Sequence, residues 1–136
     1  MRAILTIALF GLMLAGCTAG YDKTAMPDAG VSVRQASLSC EVKWAAKEIK
    51  TYSEWAACSL AAERKFFTAI KLQKMDTFEA YAARYRILAA DRDAQRISDS
   101  QASRRANQLL REFYAACHCT REPVVNSAVL PGLHVD

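Results

Sequence analysis

Apolar positions recur along most of the chain at alternating steps of four and three. One series runs Leu38, Val42, Ala45, Ile49, Tyr52 and Ala56, then continues through Leu60, Phe67 and Ile70 after a one-place irregularity. A second runs Phe78, Ala82, Tyr85 and Ala89, turns polar through Arg92, Arg96, Asp99 and Ser103, and returns at Ala106, Leu110, Phe113 and Cys117. This spacing puts each series on one face of a helix, so both read as core stripes of packed helices. Between Val31 and Glu122 there is neither glycine nor proline, while alanine pairs recur. The best helix former is abundant and the two strongest helix breakers are absent. The pattern predicts an all-α domain, a compact up-down bundle of about four helices, with Trp44, Trp55, Phe66, Phe67, Phe78, Tyr81 and Phe113 as its bulky fillers.

With no glycine inside the domain, helix breaks must be read from capping signals. Thr51-Tyr52-Ser53-Glu54 and Ser98-Asp99-Ser100-Gln101 fit the capping box, and Asp76-Thr77-Phe78-Glu79 is a close analogue. They predict helices near 36–50, 53–74, 77–97 and 99–117. Residues 18–34 are polar, contain Gly20, Pro27 and Gly30, and show no apolar period, so they read as a flexible tether with a reach of roughly 20 to 25 Å. Beyond Thr120 the tail carries Pro123, Pro131 and Gly132. Its Val124, Val125, Val129 and Leu130 are read as covering the chain's own bundle.

The N-terminus has a different character. Met1-Arg2 is a short positive head, and Ala3 to Ala15 is an apolar stretch of 13 residues that ends in Leu14-Ala15-Gly16-Cys17. That stretch is shorter than the ~20 residues a membrane span needs, and it has the build of a cleaved secretory signal. The Leu-Ala-Gly-Cys ending resembles the lipobox of bacterial lipoprotein precursors. The resemblance implies Leu14, Ala15 and Gly16 as recognition residues, cleavage before Cys17, and lipid on the Cys17 thiol. Acyl chains contribute roughly 0.8 kcal/mol per buried methylene, so two or three anchor firmly. Thr18 stands where such lipoproteins retained in the inner membrane tend to carry aspartate, so the resemblance implies the periplasmic face of an outer membrane. The chain then divides into a signal peptide over 1–16, a lipidated tether over 17–34, a helical bundle over 35–120 and an irregular tail over 121–136.

Cysteine count agrees with that division. Of five cysteines, assigning Cys17 to lipid leaves Cys40, Cys58, Cys117 and Cys119, an even set for an oxidising compartment. A straight helix would hold Cys40 and Cys58 about 27 Å apart, whereas a disulfide needs Cα atoms within about 7 Å. Every complete pairing of the four therefore requires a turn between them. With Cys40 near the start of the first helix and Cys117 at the end of the fourth, the expected pairing joins Cys40 to Cys117 or Cys119, and Cys58 to the other. A free Cys58 would instead permit a long two-helix hairpin turning near Asp76.

Charge and motif content narrow the chemistry. Without Arg2 the mature chain has 17 basic and 14 acidic residues, a net +3 that is too mild for a dedicated nucleic-acid surface. Cys117-His118-Cys119 offers metal-ligand types, with His134, Cys40 or Cys58 to complete a set, but its spacing is neither C-x2-C nor C-x-x-C-H. Disulfide cysteines are the preferred reading, with no metal and no cofactor. Arginine dominates the second half at Arg84, Arg86, Arg92, Arg96, Arg104, Arg105, Arg111 and Arg121, and Asp91, Asp93, Asp99 and Glu112 dilute it. No carboxylate pair, G-x-S-x-G elbow or glycine-rich phosphate loop is present, so an enzyme is not expected. The expected role is a lipid-anchored adaptor that holds a protein partner of the envelope, similar in size, anchor and helix content to secretion pilotins, with lipoproteins that exclude conjugation or superinfection as another adaptor of this kind. The alternative is a ligand-binding lipoprotein, with metal at Cys117-His118-Cys119 or anionic glycan or lipid on the arginines.

Overall fold

The computed structural model describes residues 20 to 119 and residue 131. Residues 1–16, read above as a signal peptide, the Leu14-Ala15-Gly16-Cys17 ending and nearly all of the tail, including His134, lie outside the described residues. A 3-10 turn over Lys23–Ala25 leads into α1 (Met26–Ala45), followed by α2 (Tyr52–Ala69), α3 (Met75–Asp93) and α4 (Asp99–Cys117). No strand occurs among the described residues, and no helix there is long and apolar enough to cross a membrane.

Each helix ends without glycine. Lys47, Lys71, Gln95 and His118 take the left-handed conformation, with φ between 53° and 57°. At the first three the paired backbone bonds of a Schellman motif close the turn, Glu48 N–H to Lys43 C=O and Lys47 N–H to Trp44 C=O after α1, with equivalents after α2 and α3. Buried Ile49, Leu72 and Ile97 then carry the chain under the next helix. Both expected capping boxes form: Glu54 N–H donates to Thr51 Oγ1 at 3.1 Å, and Gln101 N–H to Ser98 Oγ at 3.3 Å, each with the reciprocal bond. The Asp76 cap does not form. Helix α3 starts two residues earlier behind Lys74, whose ammonium donates to Ala116 C=O at 3.1 Å, and Asp76 falls in the first turn.

Consecutive helices pack antiparallel, α1 on α2, α2 on α3 and α3 on α4, and α1 has no comparable contact with α3 or α4. The aromatic centre lies among α2, α3 and α4. Phe67 and Phe113 approach to 5.1 Å between ring centroids, Tyr81 stacks on Phe113 at 5.1 Å, and Phe78 closes the group. The bulky residues expected in the core are buried, except Trp44, which is half-buried against Tyr52 and Trp55. Every apolar member of the second stripe, from Phe78 to Cys117, is buried. Its polar interval coincides with the end of α3, the α3–α4 loop and the first turn of α4.

The first helix departs from expectation in extent and in face. Residues 26 to 34, read as tether, are the opening turns of α1. Proline costs nothing at the first helical positions, where its missing N–H has no partner to lose, and Pro27 stands there. The buried face of α1 is Ala29, Val33 and Cys40, so Leu38, Val42 and Ala45 point outward. Ahead of α1, Gly20–Asp22 docks on the α2–α3 loop: Asp22 N–H donates to Ile70 C=O at 2.6 Å and Gln73 N–H to Gly20 C=O at 2.8 Å. The Gly20 Cα faces the Cys117 carbonyl at the end of α4.

The longer α1 also explains the disulfides. Cys40 pairs with Cys58, with Cα atoms 6.0 Å apart, and Cys117 pairs with Cys119 at 5.2 Å. The expected pairing of Cys40 with Cys117 or Cys119 is therefore corrected. Because α1 begins at Met26, Cys40 lies roughly 21 Å along it from the end where α4 finishes. That height matches Cys58 early in α2. At the other site, left-handed His118 turns Cys119 back onto Cys117.

Candidate functional site

Of the arginines in the second half of the chain, Arg84 and Arg105 line the seam between α3 and α4. The four acids expected to dilute the arginines are all engaged. Asp91 accepts from Arg96 at 2.6 Å, Asp99 from Arg92 at 2.5 Å, and Glu112 from Arg84 at 2.6 Å and from Gln108 at 2.8 Å. The Arg84 and Gln108 hydrogen bonds hold the Glu112 carboxyl below its usual range.

Asp93 has a different task. It accepts from Tyr52 N–H at 2.7 Å, Ser53 N–H at 2.9 Å and Ser53 Oγ at 2.5 Å, so the end of α3 caps the start of α2. Partial burial opposes its ionisation, but these Ser53 and Tyr52 donors outweigh it and lower its pKa. Arg92 also lies over the Tyr52 ring at 5.2 Å. These interactions fix helix ends rather than recruit a ligand.

What remains is a furrow with an apolar floor and a cationic edge. Leu88 and Leu109 form the floor, Ile87 stands on the lip at 63% exposure, and Arg84, Asp91, Arg105 and Gln108 line the sides of a groove of about 330 Å³. It continues past Arg84 and Leu109 into a second hollow of about 190 Å³ beside Thr77, Ala80 and Ala116. Arg105 has no ion pair with any described residue. The furrow thus combines exposed hydrocarbon with uncommitted guanidinium, a surface suited to an acidic amphipathic segment.

The Cys117-His118-Cys119 segment sits at the opposite end of α4 from the Ser98 cap. Its two sulfurs are bonded to each other, so neither offers the thiolate a metal would take. No group of metal-ligating side chains gathers among the described residues.

The structure also exposes a polar group that sequence reasoning missed. Glu63 is 1% exposed, and its Oε1 has no hydrogen-bond partner. Burial pushes its carboxyl up to about 8, so it is mostly protonated at neutral pH. Tyr81 and Tyr85 are near enough that, after burial, the Glu63 charge is the next influence opposing their ionisation. The signal lay in the stripe itself. The steps Ala56, Leu60, Glu63, Phe67, Ile70 keep the alternation of four and three, and the seven-residue gap between Leu60 and Phe67 held the carboxylate at a core position.

The chain matches no family model, no curated protein and no solved structure.

Proposed function

We propose that this chain is a lipid-anchored envelope lipoprotein whose α3–α4 furrow grips an acidic, amphipathic helical segment of a partner protein. The observation that carries the reading is Ile87, a large apolar side chain held in the open beside Arg84 and Arg105 over a floor of Leu88 and Leu109. Aliphatic anchors set in a charged rim are the form that helix-in-groove recognition takes. The Leu14-Ala15-Gly16-Cys17 ending supports the anchor. With lipid on Cys17, only Thr18 and Ala19 separate it from Gly20, a span of roughly 11 Å at full extension. The lipidated end of the chain is thereby held close to the bilayer, on the periplasmic face of the outer membrane in this reading.

A photo-crosslinking residue at Ile87, introduced in cells, is expected to yield one dominant adduct with an envelope protein. Arg105→Glu in the same chain should cut that adduct on the order of tenfold, since it both removes a cation and repels the acidic segment. The same crosslinker at exposed Glu48, on the α1–α2 loop, should not capture that protein. An Ile87 adduct indifferent to the charge at Arg105, or its absence, counts against the furrow.

A further inference from the structure

Helix α1 packs on α2, and its opposite side is apolar and open. Val31, Leu38 and Val42 are 49%, 57% and 67% exposed, and Ala45 continues their line. Together they form a stripe along nearly the whole helix. Flanking it on one side are Arg34 and Glu41, two turns apart on the same edge, both exposed and neither ion-paired with any described residue.

That edge carries a specific instruction. A two-fold axis through a helix face places residue i opposite residue j and j opposite i. Around Leu38, reversal of the sequence sets Val31 opposite Ala45 and Arg34 opposite Val42 and Glu41. Because antiparallel pairing joins like edges of the two helices, Arg34 of one copy meets Glu41 of the other, twice. Parallel pairing would instead set this edge against Gln35 and Ser39, which offer no charge.

We propose that α1 is the interface of an antiparallel homodimer, with Leu38 at the two-fold axis and reciprocal Arg34–Glu41 ion pairs at its border. A second copy fits both the apolar line and the charge order, and the dimer presents two α3–α4 furrows. If the axis stands normal to a membrane, both α1 helices lie parallel to it and both N-termini can reach the same leaflet. Confinement to a surface then raises the effective concentration of the pair. The interface involves neither the furrow nor the lipid, so it can fail without affecting the adaptor reading, and the reverse.

The test places single cysteines on the full chain expressed in its host and reads non-reducing gels, with peptide mapping to verify that Cys40–Cys58 and Cys117–Cys119 are intact. Leu38→Cys should form a symmetric disulfide dimer. Val31→Cys and Ala45→Cys should each remain monomeric alone but couple when co-expressed. Against Leu38→Cys, Arg34→Glu or Glu41→Arg should lower the dimer yield roughly fivefold to tenfold, the scale of two exposed ion pairs made repulsive. The double exchange should restore it. A Leu38→Cys chain that stays monomeric overturns the proposal. So does self-coupling of Val31→Cys, which marks a parallel pair, or a dimer indifferent to the charge exchange.

Discussion

Glu63→Gln is expected to remove most of the loss of stability that the wild-type protein undergoes between about pH 4.5 and pH 8. The carboxyl has a raised pKa in the folded state, about 8 against an ordinary 4.5. Its contribution is therefore intact below 4.5, where folded and unfolded chains are both protonated. It is lost as pH rises toward 8, because the unfolded chain releases the proton while the folded chain must keep it. The full loss is on the order of 4 to 5 kcal/mol for a group this deeply buried, a large share of a small domain's stability. The depressed carboxyls of Asp22, Glu54, Asp93 and Glu112 act in the opposite sense and in a lower window, where stability falls as they protonate. Denaturant titrations of wild type and Glu63→Gln across this range isolate the Glu63 contribution as a difference. Glu63→Met, which keeps the volume and discards the unpartnered oxygen, should exceed wild type in stability at pH 8. Parallel pH profiles for wild type and Glu63→Gln would show that Glu63 is not the buried acid described here.

The second large effect is expected at Cys40 and Cys58. Their disulfide spans 18 residues and ties α1 to α2, the helix on which α1 chiefly packs. Cross-linking a loop of that length stabilises by roughly 3 kcal/mol. Cys40→Ala with Cys58→Ala should therefore lower the melting temperature by on the order of 10 °C or more. Amide exchange should rise first in α1, whose buried face is narrow. Cys117→Ala with Cys119→Ala should change little, since a bridge two residues long restricts the unfolded chain hardly at all. Similar melting losses from the two double variants would contradict this division.

Much of the fold was legible because the relevant signals were local. The stripe from Phe78 to Cys117 and the boxes at Thr51 and Ser98 each specify geometry within a few residues, and α2 and α4 start where those boxes put them. The start of α1 was not legible, because Pro27 and Gly30 in a polar stretch have the composition of a linker. In fact the proline occupies a first-turn position and the glycine is buried. That shift in origin moved Cys40 up the bundle and so changed the disulfides. The outward face of α1 was misread for a related reason. Both sides of α1 carry apolar residues at helical spacing, and periodicity alone does not say which side α2 covers.

The furrow was legible only in its parts. Arginines and acids could be counted from the sequence, but tertiary pairing decided that Asp91, Asp99 and Glu112 would answer Arg96, Arg92 and Arg84, and that Arg105 would remain. Glu63 stands at a regular position of the stripe between Leu60 and Phe67, yet the stripe cannot say whether a carboxylate at a core position is buried or bent away to solvent.

The central claim, a helical module held to an envelope membrane by lipid on Cys17, is tested most directly by the intact mass of the protein extracted from its host membranes. The expected species begins at Cys17, carries a diacylglyceryl group with or without a further acyl chain, and holds its other four cysteines in two disulfides. A chain that retains residues 1 to 16, or one that is cut elsewhere and bears no lipid, would contradict it.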